Sequence, residues 1–175
     1  NGATGGSMSD LEMTYDQAKN LTANGYTKTG YTFIGWNTDK NATTAQYTNG
    51  QSVNNLTTEN GATITIYAIW QKEITISYNA NGGTGAPASQ KGILYNSQAN
   101  VNITLSDTEP TRNGYTFVGW SESNSSTTAS YEPGEEYPFS KDTTLYAVWD
   151  ANSYTLIVDP NGGIWNGSSN TQSFT

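Results

Sequence analysis

The chain contains neither cysteine nor histidine. Without cysteine, no disulfide can staple a small fold and no thiolate can hold zinc. Without histidine, the usual general base near neutral pH and the commonest metal ligand are both missing. Charge is scarce too: Asp, Glu, Lys and Arg make up only 13% of the residues. The balance of 15 acidic against 7 basic residues gives a net charge of −8, and a phosphate backbone needs Lys and Arg, so nucleic acid is excluded as a partner. No apolar run reaches the about 18 residues of a membrane-spanning helix. Asn1 begins no signal peptide and the chain opens in mid-motif, so secretion or anchoring signals are expected to lie outside this sequence.

What is present is aromatic and repetitive. Twelve Tyr and five Trp are enough large rings for small cores, so this is no disordered linker. Gly-Tyr-Thr-Phe-x-Gly-Trp stands at Gly30–Trp36 and again at Gly114–Trp120. Ile66-Tyr67-Ala68-Ile69-Trp70 is echoed by Leu145-Tyr146-Ala147-Val148-Trp149. Asn81-Gly82-Gly83 is echoed by Asn161-Gly162-Gly163. All three echoes share a spacing of about 80 residues, and self-similarity at one period is the signature of a tandem array. Such arrays serve reach or display before chemistry. The expected division is residues 1–70, 71–150 and the start of a third module at 151–175. Tyr154–Asp159 matches Ile74–Asn79, and Asn1-Gly2 matches Asn81-Gly82. The first module therefore lacks a counterpart of the strand Ile74–Tyr78. The junctions at Gln71-Lys72 and Asp150–Asn152 are too short for free tumbling.

The apolar pattern has period two. Ile64, Ile66, Ala68 and Trp70 share a face over Thr63–Trp70, as do Ile74, Ile76 and Tyr78 over Glu73–Tyr78. Both read as strands with one buried face. Beyond Asn1-Gly2, seven Asn-Gly pairs, among them Asn24-Gly25, Asn81-Gly82 and Asn166-Gly167, read as hairpin turns with both residues at positive φ. Tyr15–Thr22 is a weak helix candidate, so the expected fold is mainly β with little helix.

Together these motifs resemble the Listeria–Bacteroides repeat, the internalin B-type B-repeat of bacterial surface proteins. The opening strand with its Asn-Gly-Gly stands at Tyr78–Gly83 and Val158–Gly163. The Tyr-x-x-Gly turn stands at Tyr47–Gly50 and Tyr131–Gly134, and the close at Ile66–Trp70 and Leu145–Trp149. The resemblance implies tandem small β-grasp-like modules, location on the bacterial cell surface, and a role in stalks or adhesion. It carries no catalytic residues. The Asn/Thr-rich insert Asp39–Thr44 and its counterpart Asn124–Thr128 depart from the family pattern.

Trp36, Trp70, Trp120 and Trp149 recur in register with these motifs, which points to core packing along with Tyr31, Tyr115, Phe33 and Phe117; the alternative for the Trps is sugar stacking. Trp165 has no aromatic counterpart, since Gly85 holds the equivalent place in the second module, and is a candidate contact for a glycan or a neighbouring module. Glu132, Glu135, Glu136 and Asp142 form the densest acidic group, but no Asp-x-Asp-x-Asp-Gly calcium loop appears and a repeat this small has no room for a glycosidase cleft. Lys72 beside Glu73 is a weak candidate for a Lys–Asn isopeptide bond. No cofactor, metal or enzymatic activity is expected.

Two functions remain. One is a non-catalytic extracellular stalk or adhesion region whose partners are neighbouring repeats and, more weakly, host protein or cell-wall glycan. The other is a carbohydrate-binding module built on exposed aromatics. The unmatched strand Tyr154–Asp159 adds a further expectation, head-to-tail strand exchange with the first module of another copy.

Overall fold

A computed structural model describes residues 2–159, 161–164 and 172–174. In chain order the strands are β1 (Gly5–Gly6), β2 (Lys19–Asn20), β3 (Tyr26–Thr27), β4 (Thr32–Asn37), β5 (Ser52–Val53), β6 (Tyr67–Asn79) and β7 (Gln90–Tyr95). They continue with β8 (Val101–Thr104), β9 (Tyr115–Ser121), β10 (Glu136–Phe139), β11 (Thr143–Ala151), β12 (Leu156–Val158) and β13 (Gln172–Phe174). No helix occurs among the described residues, and the fold is mainly β.

Two compact units are present. One comprises Asn1–Ser77, Ser89–Leu105 and Glu136–Thr143; the other comprises Tyr78–Ala88, Ser106–Glu135 and Thr144–Thr175. In the first unit, β4 and β7 both pair antiparallel with β6, β4 along Tyr67–Gln71 and β7 along Gln71–Ile76. The two-stranded antiparallel pairs β1–β3, β2–β5 and β8–β10 complete it. In the second unit, β9 pairs with β11 and β12 with β13.

The duplicated Gly-Tyr-Thr-Phe-x-Gly-Trp motif forms β4 and β9. Its aromatic and β-branched residues suit a half-buried pleated surface. The glycine before each Trp has a specific reason. Gly35 and Gly119 adopt φ of 141° and 138°. A β-carbon at Gly35 would lie 2.5 Å from Ala45 Cβ, and one at Gly119 would lie 2.7 Å from Ala129 Cβ. At both places the ladder is irregular, so the strand bends and turns the following Trp inward. Trp36 and Trp120 each donate a backbone N–H, at 2.8 Å, to the carbonyl of Tyr47 or Tyr131 in the returning segment.

Phe33 lies edge-on to Trp36 at 4.9 Å and to Trp70 at 5.5 Å. Phe117 repeats the arrangement with Trp120 at 5.1 Å and Trp149 at 5.7 Å. In the first repeat this trio joins the buried Leu21, Val53 and Ala68 in one cluster, flanked by Met8, Leu11 and Met13. In β6, Ile74 and Ile76 are fully buried, and burying each such side chain contributes about 1.5–3 kcal/mol.

Several local expectations are corrected. The strand read at Thr63–Trp70 begins only at Tyr67, and Ile64 is exposed. Tyr15–Thr22 is a turn followed by β2, because Asp16 takes φ of 62°, which no helix accepts. Of the Asn-Gly pairs, Asn81-Gly82 and Asn161-Gly162 have both residues at positive φ. At Gly50, Gly61 and Gly114 only the glycine does, so these turns are not of the primed hairpin kind. Asn166-Gly167 lies outside the described residues.

The bulge makes a testable claim. Gly119→Ala adds overpacking of about 1–3 kcal/mol to its backbone strain. Gly114→Ala, also at positive φ (78°) but with nothing within 4 Å, carries only a strain of about 1–2 kcal/mol. Chemical denaturation should find Gly119→Ala clearly the less stable of the two; equal losses would remove the steric account of the motif.

Candidate functional site

The structure places the sequence-selected aromatics as follows. Trp36, Trp70 and Trp120 are buried, at 4%, 3% and 0% exposure. Trp149, Phe33, Phe117 and Tyr31 are half-buried. Tyr115 is exposed, with the Arg112 guanidinium 3.7 Å over its ring; Lys28 sits 4.3 Å over the ring of Tyr31 in the same way. Trp165 lies outside the described residues. Trp149 donates its indole N–H to Ala80 O at 3.0 Å, and its ring passes so close to Gly83 that a β-carbon there would lie 2.6 Å from it. That contact gives the second glycine of Asn-Gly-Gly its purpose. The indole N–H groups of Trp36, Trp70 and Trp120 are buried without a hydrogen-bond partner among the described residues.

Among the described residues, no three acidic side chains converge to hold a metal ion. Of the acidic group, Glu136 accepts a hydrogen bond from Asn102 Nδ2 at 3.1 Å and Asp142 accepts one from the Thr75 N–H at 2.8 Å. Lys72 lies within the β6–β7 ladder opposite Leu94. Burial raises the Tyr78 pKa, partly offset by the Ser106 N–H donating to its hydroxyl, and lowers that of Lys28.

The most constructed polar site is where the two repeats meet. The expected junction Gln71-Lys72 is no linker: it lies inside β6, a single strand of 13 residues. Its first part closes the first repeat and its second part opens the next. Asn96, just past β7, grips this strand beside the junction. Its backbone N–H donates to Trp70 O at 2.9 Å and its Oδ1 accepts from the Trp70 N–H at 3.0 Å. Its Nδ2 donates to Ala42 O at 2.8 Å and to Lys40 O at 3.3 Å. Its carbonyl accepts from Lys28 Nζ. Asn96 is 6% exposed and takes φ of 51°, a conformation Asn tolerates better than most residues.

Asn96 thus belongs to one repeat by sequence and saturates backbone groups of the other. The segment Asp39–Thr44 supplies two of the carbonyls. Residue-type reasoning missed this site. A signal did exist: Tyr15-Asp16 aligns with Tyr95-Asn96 in the repeat register, and Asp16 also has positive φ. Asp16 instead exchanges hydrogen bonds with Asn55, at 2.7 and 2.8 Å.

The profile of the Listeria–Bacteroides repeat domain matches residues 1–69 and again 75–148. The chain belongs to the Listeria–Bacteroides repeat family. Its two copies meet at the strand that Asn96 grips. Two relatives from Evansella cellulosilytica, provisionally named a Gly-rich membrane protein and a membrane protein, are each 32% identical to it over 141 and 137 residues. Each alignment covers 78% of this chain but only 16% and 18% of the relatives, so the chain spans about a sixth of their length. No solved structure matches it.

Substitutions at Asn96 separate its two contributions. Asn96→Gly keeps the backbone conformation and removes the side-chain partner of the Trp70 N–H and of the Ala42 carbonyl; one buried unsatisfied group costs about 1–3 kcal/mol. Asn96→Ala adds about 1–2 kcal/mol of left-handed strain. The denaturation midpoints should fall in the order intact chain, Asn96→Gly, Asn96→Ala, with Ser97→Ala next door unchanged. A neutral Asn96→Gly would show that the grip carries no stability.

Proposed function

We propose that this chain is a run of non-catalytic extracellular repeats that acts as a spacer or stalk in a bacterial cell-surface protein, with weak adhesion to host protein or cell-wall glycan as a secondary role. The repeats are β-grasp-like modules at 1–70 and 71–150, followed by the start of a third at 151–175. The observation that carries this reading is the junction. A strand passes from one repeat into the next without a break, and its flank is hydrogen-bonded by Asn96. Repeats joined in this way contact their neighbours directly, as a spacer built from stacked modules requires. Membership of a family found in bacterial surface proteins, and relatives named as membrane proteins, support the location.

The competing carbohydrate reading needs coplanar exposed rings. The described tryptophans are buried or half-buried, and the exposed tyrosines Tyr15, Tyr115 and Tyr154 belong to separate segments.

Small-angle scattering tests the spacer. A compact chain of this length would have a radius of gyration of about 16 Å. The spacer reading expects a clearly larger value, unchanged by added cell-wall oligosaccharides. A value near the compact limit would count against it, and saturable oligosaccharide binding that quenches tryptophan fluorescence would favour the alternative.

A further inference from the structure

The Asn-Gly pairs are chemically unequal. An Asn side chain followed by glycine can react with its own backbone. The glycine nitrogen attacks the side-chain carbonyl carbon, and a glycine, having no β-carbon, leaves that approach open. A hydrogen bond that fixes the amide, or a clamped turn, keeps the two groups apart, and reaction then waits on local opening.

Five pairs stand between Asn24 and Gly114, and four of them are held. Asn24 accepts from the Tyr26 N–H at 3.0 Å and donates to the Tyr26 carbonyl at 3.1 Å. Asn49 Oδ1 accepts from the Asn24 N–H at 2.8 Å. Asn81 Nδ2 donates to Asn124 O at 2.9 Å and to Ala147 O at 3.0 Å. The turn at Asn113-Gly114 is closed by the Tyr115 N–H, which donates to Arg112 O at 3.1 Å, and Gly114 O accepts from the Asn152 N–H at 2.9 Å.

Asn60-Gly61 is different. Among the described residues no hydrogen bond reaches the Asn60 side chain or the Gly61 N–H. The turn is closed by the Ala62 N–H on Glu59 O at a long 3.4 Å. Residues 58–65 are exposed and belong to no strand. A β-carbon at Gly61 would meet nothing within 4 Å. This exposure has a cause in the sequence. The first repeat from Gly50 to Tyr67 is five residues longer than the second from Gly134 to Tyr146. The extra length is accommodated as a loop between β5 and β6, and its Asn-Gly pair has no counterpart in the second repeat.

We infer that Asn60-Gly61 is a site of spontaneous deamidation, and that the fold directs the reaction to it ahead of the four held pairs. The Gly61 nitrogen gives its proton to solvent base and bonds to Asn60 Cγ. The Cγ–Nδ2 bond breaks, and the side-chain nitrogen takes up a proton and leaves as ammonia. A cyclic imide remains. Water opens it at either carbonyl, giving an aspartyl residue or an isoaspartyl one whose main chain is longer by a methylene. The net change is amide plus water to carboxylate plus ammonia, with no oxidant or cofactor required. The loop lies outside the β5 and β6 ladders, so the product keeps its folded core while gaining a negative charge at one surface turn.

Peptide mapping by mass spectrometry tests this on the intact chain held in warm, mildly alkaline buffer. The mass change of an amide becoming an acid should appear first in the peptide bearing Asn60. It should accumulate there about tenfold or more faster than at Asn81, whose two hydrogen bonds must break first. Both product forms should be found, and the rate should rise with pH because the attacking nitrogen must lose its proton. In the urea-unfolded chain the five pairs should react at comparable rates. Asn60→Gln, whose longer side chain closes a less favoured ring, should abolish the early signal and keep the denaturation midpoint. An Asn60 peptide no faster than the Asn81 peptide in the folded chain, or the same order of rates in urea, ends the proposal. The chemistry does not rest on the spacer reading, so that outcome would leave the spacer standing.

Discussion

Trp70 is held from both sides, and the architecture of the first unit depends on it. Its ring packs against Phe33 in the core of its own repeat. Along one edge its strand is laddered to β4, and along the other its N–H and C=O are both taken by Asn96. Backbone groups this deeply buried must be paired, so the end of one repeat cannot form its full set of bonds without the beginning of the next. This turns two small modules, each near the lower size limit for a self-sufficient core, into mutually dependent ones. With no cysteine to staple them, hydrogen bonds across the repeat boundary are the stabilisation left open to such modules.

The duplicated parts show which features the module requires and which are local. The Phe–Trp–Trp trio recurs with centroid distances matching to within a few tenths of an ångström. The bulge glycines Gly35 and Gly119 recur with nearly the same φ. These follow from sterics that any copy must satisfy. The partners of the trio do not recur. Trp120 has Tyr78 at its edge, whereas Trp36 has Tyr26 at 6.5 Å. Around Trp36 and Trp70, Met8, Leu11 and Met13 lie partly buried against the cluster.

The sequence revealed the mainly β class, the repeat and its family, because periodic motifs with large rings constrain the backbone through sterics and burial. It was less informative where the decisive interaction is a single polar contact between segments distant in sequence. Asn96 sits in Tyr-Asn-Ser-Gln, a tetrapeptide with no motif of its own, and its meaning depends on the carbonyls of Lys40 and Ala42, far away along the chain. The same limit explains the misplaced strand start at Thr63. The alternation of Ile64 and Ile66 is genuine, but among the described residues Ile64 has no neighbouring strand to bury against, so the pattern is not realised as structure. Reading Gln71-Lys72 as a junction located the boundary in the sequence but gave no hint that the chain crosses it fully extended.

Native-state hydrogen exchange at the Trp70 amide tests the coupled junction most directly, because that N–H is bonded to Asn96 Oδ1 across the repeat boundary. If the junction is coupled, this amide exchanges only with the most slowly opening core amides of the intact chain, such as those of Ile69 and Ile74. In Asn96→Gly it should then exchange much faster, while core amides distant from the junction, such as that of Leu145, keep their protection. A Trp70 amide that exchanges readily in the intact chain, or one whose protection is unchanged in Asn96→Gly, would contradict the account.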